Sequence, residues 1–453
     1  MMLRRARRRL CSLCWKPSPL APNVWSATVA KAWQSDSVRG GARVLWAQTL
    51  LPPQVHQAMR ALLPSLRFDR DADSVDASPS FEVRWVRGGV YTHAPLASIF
   101  RATVEQRLLP LLRRSDLAAG HDLVLCEALV RVYDDGARRV HPAHYDADAL
   151  VTAVVEIDSS PQEDGSRGYE GAGFYVQPGA HVSSRIPLAI APGDVVAHSF
   201  DLQHGVQVAR GRRLSVVFWF TDSLDSCKDK SRPWYRAAAA LGDADGQYNL
   251  GKGIGHENPK EALNLLRAAA QQGHFVAQND VGVMLMHGSG CEGGVPQMEE
   301  AEKWLQASAA QGFHRAMVSM AFLCAQRGNE TQALEWLRGA AEQRADPEVM
   351  YSLGLTYLHG KLSAERDEEI ALKWLEESAI MGHPRAQLAM SKLAKDAEEA
   401  ETWLLRAAEQ SQPGAVTALA MLYGSNLRFM ELLSFLARCT KNMVHVSSKW
   451  TWS

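Results

Sequence analysis

Along the chain, apolar and polar positions follow one rhythm up to about residue 235 and another after it. From residue 42, A-R-V-L-W-A-Q-T-L reads as a strand, and Pro53 stands at the start of a stretch with apolar residues at helical spacing. Ser80 to Arg87 alternates as a half-buried strand, and Pro95 to Leu112 is an amphipathic helix with Pro110 as a kink point. Asp122 to Tyr133 reads as a strand, as does the β-branched run from Ala149 to Ile157. Polar, turn-rich Asp158 to Gly168 is expected to be a loop, either mobile near a site mouth or a plain solvated connection. A-P-G-D-V-V-A-H-S-F turns at Pro192 and Gly193 into another strand, and L-S-V-V-F-W-F closes the set.

From about residue 236 the chain is rich in Ala, Leu, Gln, Glu and Trp, with almost no strand signal. A repeat accounts for it. The pattern A-x-x-W-L recurs at Ala301 with Trp304, Ala333 with Trp336, Ala371 with Trp374 and Ala400 with Trp403, and Ala262 opens an earlier copy with Leu265 in the tryptophan place. Eleven residues past the first alanine stand Gly273, Arg344, Gly312, Ser411 or Gly382, depending on the copy. Apolar residues at i, i+3 and i+4 form one helix face, and a glycine after the last turn supplies a left-handed cap. A second helix follows in each copy, where Gly282 and Gly354 allow close helix approach. One such hairpin cannot bury its face alone, so the copies are expected to stack as a solenoid with the tryptophans as core residues.

Composition narrows the classes. A chain of 453 residues exceeds one ordinary core, and a formal net charge of −1 gives no basic surface for nucleic acid or an anionic membrane. No run approaches the length of a membrane-spanning helix. Seven scattered cysteines do not read as a disulfide framework, and Cys11 with Cys14 lacks a second pair to complete a zinc site. The first 35 residues carry Arg4, Arg5, Arg7, Arg8, Arg9, Lys16 and Lys31 and no acid, which resembles an organelle transit peptide or a basic tail. The compartment is then cytoplasmic or organellar. The expected division is 1–40 tail or transit peptide, 41–235 catalytic domain, 236–425 repeats, and 426–453 cap and tail.

The chemistry is concentrated between His144 and Ser215. His144 and Asp146 are two apart, so one strand end offers both side chains to the same face. His204 returns on a later strand, and two imidazoles with one carboxylate form the ligand set that holds Fe(II) while leaving open positions. Arg213 and Ser215 share a strand face, and a guanidinium with a hydroxyl beside it suits the far carboxylate of a ligand. His198 competes with His204 for the distal position. His141 and His181 read as surface or loop residues, and Arg212 as an exposed neighbour of Arg213.

The order H-x-D, a distal His before G-V, then R-x-S resembles the 2-oxoglutarate and Fe(II)-dependent dioxygenases, most closely the prolyl 4-hydroxylase type. Tyr133 to Gly136 and Tyr169 to Val176 are similar to further segments of that group. The resemblance favours His204 as distal ligand, by its distance to Arg213 and its G-V context. It implies a double-stranded β-helix, Fe(II) held by His144, Asp146 and His204, and 2-oxoglutarate held by Arg213 and Ser215. O2 is the implied oxidant and ascorbate an implied reductant. A tyrosine common on the strand after H-x-D is missing, since that strand has Thr152 and Glu156 as its polar members, and Tyr133 is the candidate for its contact. The second half resembles the Sel-like tetratricopeptide repeats, mostly adaptors that bind proteins or peptides. Together they imply a hydroxylase acting on a protein or peptide, with the repeats recruiting substrate or a protein partner. A non-catalytic scaffold with a degenerate oxygenase fold, or an oxygenase for a small metabolite, stays open.

Overall fold

The structure is a computed structural model and describes residues 13–31, 42–72, 75, 79–118, 120–134, 138–158, 168–410 and 412–425. In its first half the strands are β1 (Lys16–Pro17), β2 (Val24–Val29), β3 (Ala42–Ala47), β4 (Asp69–Ala72), β5 (Pro79–Arg87), β6 (Val90–Tyr91), β7 (Val124–Tyr133) and β8 (Val140–His144). They continue as β9 (Val151–Asp158), β10 (Tyr169–Glu170), β11 (Gly173–Val176), β12 (Ile186–Pro187), β13 (Val195–Ser199), β14 (His204–Gln207), β15 (Arg210–Gly211) and β16 (Arg213–Thr221). Helices α1 (Pro53–Leu62), α2 (Ala94–Thr103) and α3 (Leu109–Arg113) are interleaved with them.

The large antiparallel sheet runs β1-β2-β3-β13-β9-β16-β7-β5-β4, with β6 on β5, and a four-stranded sheet runs β12-β11-β14-β8. Strand β9 explains the layering. Val151, Ala153, Val155 and Ile157 point to a core shared with Met59, Leu96, Phe100 and Leu112 from the helices. Val154 points the other way, into a core with Phe174, Val176 and Val206 of the smaller sheet. A strand buried on both faces must be apolar at nearly every position, so its few polar residues face something particular. The architecture is a double-stranded β-helix, or jelly roll, followed by an all-α solenoid.

Pro110 lies just after a π-helical turn, Val104–Leu108, that joins α2 to α3. Its missing N–H removes one α-helical bond there.

Helices α4 (Leu224–Asp229), α5 (Pro233–Ala240) and α6 (Ala244–Ile254) begin the helical half, earlier than the composition change suggests. The repeats follow as α7 (Pro259–Gln271), α8 (Phe275–Met286), α9 (Met298–Ala310), α10 (His314–Gln326), α11 (Glu330–Glu342) and α12 (Pro347–His359). They end with α13 (Glu368–Ile380), α14 (Pro384–Leu393), α15 (Ala397–Glu409) and α16 (Ala415–Ser425). Gly273, Gly312 and Gly382 take φ values of 88°, 89° and 91°, the left-handed caps their spacing calls for. A Cβ on Gly282 would lie 2.6 Å from Leu305, and one on Gly354 2.8 Å from Leu375. Trp374 and Trp403 are buried between helices, while Trp304 and Trp336 are half-buried.

One expectation needs correcting. Residues 13–31 are not a tail outside the fold: V-W-S-A-T-V pairs with β3 in the large sheet and buries Val24, Ala27 and Val29. The alternation was masked by the basic residues around it, and one of them, Lys31, is itself buried against Asp201 and Asp245. The arginine run, Cys11, Gly136, the loop core at 159–167 and the segment 426–453 lie outside the described residues.

Candidate functional site

Strands β8 and β14 are antiparallel neighbours, and their register sets His144 directly opposite His204. Asp146 follows in the loop after β8. Among the described residues His144, Asp146 and His204 form a cluster able to hold a metal ion, with ligand atoms within 4.8 Å of one another. His144 Nε2 lies 3.5 Å from Asp146 Oδ1, and His204 Nε2 lies 3.4 Å from Oδ2.

Backbone carbonyls set the tautomers. His144 Nδ1 meets the carbonyl of Pro142 at 2.8 Å and His204 Nδ1 that of Leu202 at 3.2 Å. Each Nδ1 therefore carries a proton, and each Nε2 is the ring atom that faces Asp146. Thr152 on β9 donates its hydroxyl to Asp146 Oδ2 at 2.5 Å and fixes the carboxylate plane. Burial alone would raise the Asp146 carboxyl, but His204 and His144 outweigh it and hold it well below the usual range. Burial pushes the His204 imidazole well below its usual value, although Asp146 pulls it the other way.

His198 sits beside the cluster rather than in it. It pairs with Thr152 in register, its ring lies 4.2 Å from that of His204, and its Nε2 is 4.0 Å from Asp146 Oδ2. His141, expected at the surface, is instead buried on β8, with its ring 4.1 Å from His144 and its Nδ1 3.3 Å from Arg131. His181 is exposed at the start of a short turn, and Arg212 is exposed as expected.

The inner face of β9 carries Thr152, Val154 and Glu156. Two pairs of residues along a strand span about 13 Å, so Glu156 marks the far end of the face from the cluster. There Arg213 is fully buried, with Nε 3.3 Å from Glu156 Oε2 and Nη1 donating to Ser215 Oγ at 3.1 Å. Its Nη2 and Glu156 Oε1 have no hydrogen-bond partner among the described residues. Tyr169 donates to Glu156 Oε2 at 3.2 Å, and the Tyr133 ring lies 5.8 Å from the guanidinium. Burial lowers the Arg213 pKa, but Glu156 together with Tyr169 and Tyr133 outweighs it and leaves it raised.

Thr152, Glu156 and Tyr169 were not singled out as site residues by the sequence. For Thr152 and Glu156 the available signal was polar residues within a strand otherwise apolar on both faces; Tyr169, on the short β10, carried none.

The fold and site define a two-sheet jelly roll with an inward His-Asp-His cluster, joined to a helical-repeat solenoid. The Sel1 repeat family model matches residues 228–243, 244–274, 276–313, 315–344, 347–383 and 390–412, so this part of the chain carries Sel1 repeats. An uncharacterized protein of Neisseria meningitidis serogroup B is 26% identical over 300 residues, 62% of this chain and 60% of that protein. The chain thus spans about 60% of the length of that curated relative. Among solved structures, a Sel1 repeat protein from Oxalobacter formigenes is similar over 42% of this chain and 82% of its own, at 26% identity and a TM-score of 0.37. An oxidoreductase of the 2OG-Fe(II) oxygenase family from Burkholderia pseudomallei is similar over 40% of this chain and 86% of its own, at 14% identity and a TM-score of 0.32.

Proposed function

We propose that the protein is an Fe(II)- and 2-oxoglutarate-dependent dioxygenase that hydroxylates an unactivated C–H bond of a protein or peptide. The observation that carries this reading is the joint placement of two polar centres on one inner face. At one end, the Nε2 atoms of two imidazoles converge on a carboxylate. At the other, a buried guanidinium beside Ser215 keeps Nη2 without a partner among the described residues. A cluster of two imidazoles and one carboxylate suits a divalent iron, and His144, Asp146 and His204 would hold it. Arg213 Nη2 and the Ser215 hydroxyl suit the remote carboxylate of 2-oxoglutarate, with Tyr133 beside them. When bound, iron supplies the redox chemistry that couples O2 reduction and loss of CO2 from 2-oxoglutarate to oxygen insertion into the substrate, leaving succinate.

The chain's own residues orient and shield. Thr152 fixes the Asp146 carboxylate, the carbonyls of Pro142 and Leu202 fix the imidazole tautomers, and Val154 with Phe174 keeps the inner face apolar. The Sel1 repeats supply a helical surface for a polypeptide partner. Ascorbate fits the scheme as a reductant for iron.

Glu156 favours a second reading. Its carboxylate already neutralises Arg213, as a ligand carboxylate would, which is what a scaffold that has lost turnover would tolerate. One experiment separates the two: succinate formed from 2-oxoglutarate by purified protein with Fe(II) and ascorbate, alongside direct binding of iron and 2-oxoglutarate. The dioxygenase reading expects turnover that disappears in His144→Ala and in Arg213→Ala. A wild-type protein that binds neither iron nor 2-oxoglutarate would establish the scaffold instead.

A further inference from the structure

The loop that joins His144 to Asp146 has an outer side as well as an inner one. His144 and Asp146 turn inward, so Tyr145 between them turns out, toward the helical half. Its ring lies 5.5 Å from Tyr248 on α6 and 6.0 Å from His274, the residue that caps α8. Its hydroxyl donates to Asp245 Oδ1 at 2.7 Å. His274 Nδ1 accepts the Ala277 N–H, so its Nε2 holds the proton and donates to the Tyr145 oxygen at 3.1 Å. Asp245 and His274 are completely buried.

The same carboxylate reaches the other ligand loop. Asp245 Oδ2 takes the Lys31 ammonium at 2.7 Å, and Lys31 also meets Asp201 Oδ2 at 3.1 Å. Asp201 lies three residues before His204, and its Oδ1 accepts the Ser199 hydroxyl at 2.5 Å. Further along the first loop, Tyr235 on α5 donates to the carbonyls of Asp146 and Ala147, at 3.2 and 2.8 Å. Arg232 pairs with Asp148. Every residue from Tyr145 to Asp148 is thus tied by side chain or carbonyl to the helical half.

We propose that the first Sel1 repeats are part of the metal site: Asp245 and His274, acting through Tyr145 and Lys31, are positioning residues that hold the two ligand loops in register. This rests on the reading of His144, Asp146 and His204 as metal ligands. The repeats nearest the jelly roll then shape the site and are not a free docking surface. Outer partners that orient metal ligands typically account for 10- to 100-fold in metal affinity. The bonds to Asp245 are buried and charge-assisted, the kind whose geometry is most exacting.

The test uses the full chain and Co(II) as probe, since its visible bands report ligand number and geometry without turnover. Wild type, Tyr145→Phe, Asp245→Asn, their double variant, His144→Ala and His383→Gln are titrated, with circular dichroism to confirm folding. His383 caps α14 as His274 caps α8 and bonds Glu348 at 2.7 Å within the solenoid, so it controls for loosening of a repeat in general. The expected result is a 10- to 100-fold weaker Kd and altered bands in Tyr145→Phe and Asp245→Asn. The double variant should be no worse than the poorer single, and His383→Gln should match wild type. Tyr145→Phe keeps the ring stacking and carries the test if Asp245→Asn does not fold. Unchanged Kd and bands in both variants, or equal weakening by His383→Gln, would overturn the positioning role while leaving the ligand assignment intact. Co(II) binding that is absent in wild type, or unaffected in His144→Ala, would sink the ligand assignment and the proposal together.

Discussion

Arg213 and Glu156 are each almost wholly withdrawn from solvent, so neither tolerates losing the other. Replacing Glu156 with alanine leaves a buried guanidinium without its counter-charge, and the expected loss is about 3–5 kcal/mol in urea denaturation. Glu156→Gln, which keeps a hydrogen-bond acceptor, should cost less. A second residue-scale prediction separates the two distal imidazoles. His204 stands opposite His144 in register, whereas His198 lies on β13 in the other sheet. His204→Ala should abolish metal binding by isothermal titration, and His198→Phe, which keeps ring volume, should retain it. Loss in both would make His198 a fourth donor.

The unit of the second half is a helix pair whose members come closer than side chains normally allow. A Cβ on Gly282 would overlap Leu305 and approach the Ala301 carbonyl at 3.1 Å, and backbone cannot step aside as a long side chain can. Gly282→Ala and Gly354→Ala should therefore each destabilise the solenoid by about 1–3 kcal/mol, read from thermal or chemical unfolding. Gly294→Ala is an informative control for space: nothing lies within 4 Å of its Cβ, so only the strain of its positive φ of 68° remains. Arg344 sits at the left-handed cap that glycine fills in other copies, with a φ of 50°. Its two bonds to Glu377, at 2.7 and 3.1 Å, account for an arginine there.

For the molecule as a whole, the helical half is continuous with the jelly roll. Trp234, Tyr235 and Ala238 of α5 belong to the core beneath the large sheet, and Tyr145 and Ala180 pack into the core of the first repeats. Calorimetry should show the jelly roll and first repeats unfolding in one transition. Asp245 gives that joint a pH dependence. Burial would raise its carboxyl, but Lys31 and His274 outweigh burial and hold it far below the usual 3.8. The unfolded chain then binds the proton first, so stability rises with pH across this range. The contribution is complete above 3.8 and is lost as pH falls from there toward the depressed folded value. Asp245→Asn should flatten the acid limb of a stability-versus-pH curve.

The order of strands and helices, the repeat and its left-handed glycines, and the H-x-D…H…R-x-S spacing were legible because each is carried by a local period or a short interval. Periodicity reports which face a side chain takes, and together with the resemblance to the oxygenases it singled out His144, Asp146, His204, Arg213 and Ser215 as candidates for one site. It does not report what stands opposite. The burial of His141, the Thr152 bond to Asp146 and the Arg213 pair with Glu156 were decided by how strands pair and sheets pack, and the burial of Lys31 by the packing of the first helices against the jelly roll. Tyr145 and Asp245 are 100 residues apart and in different halves, and neither lies in a pattern that points to the other. Only packing the first helices against the outer side of the loop between His144 and Asp146 joins them, because a buried hydroxyl and a buried carboxylate each need a partner once water is gone.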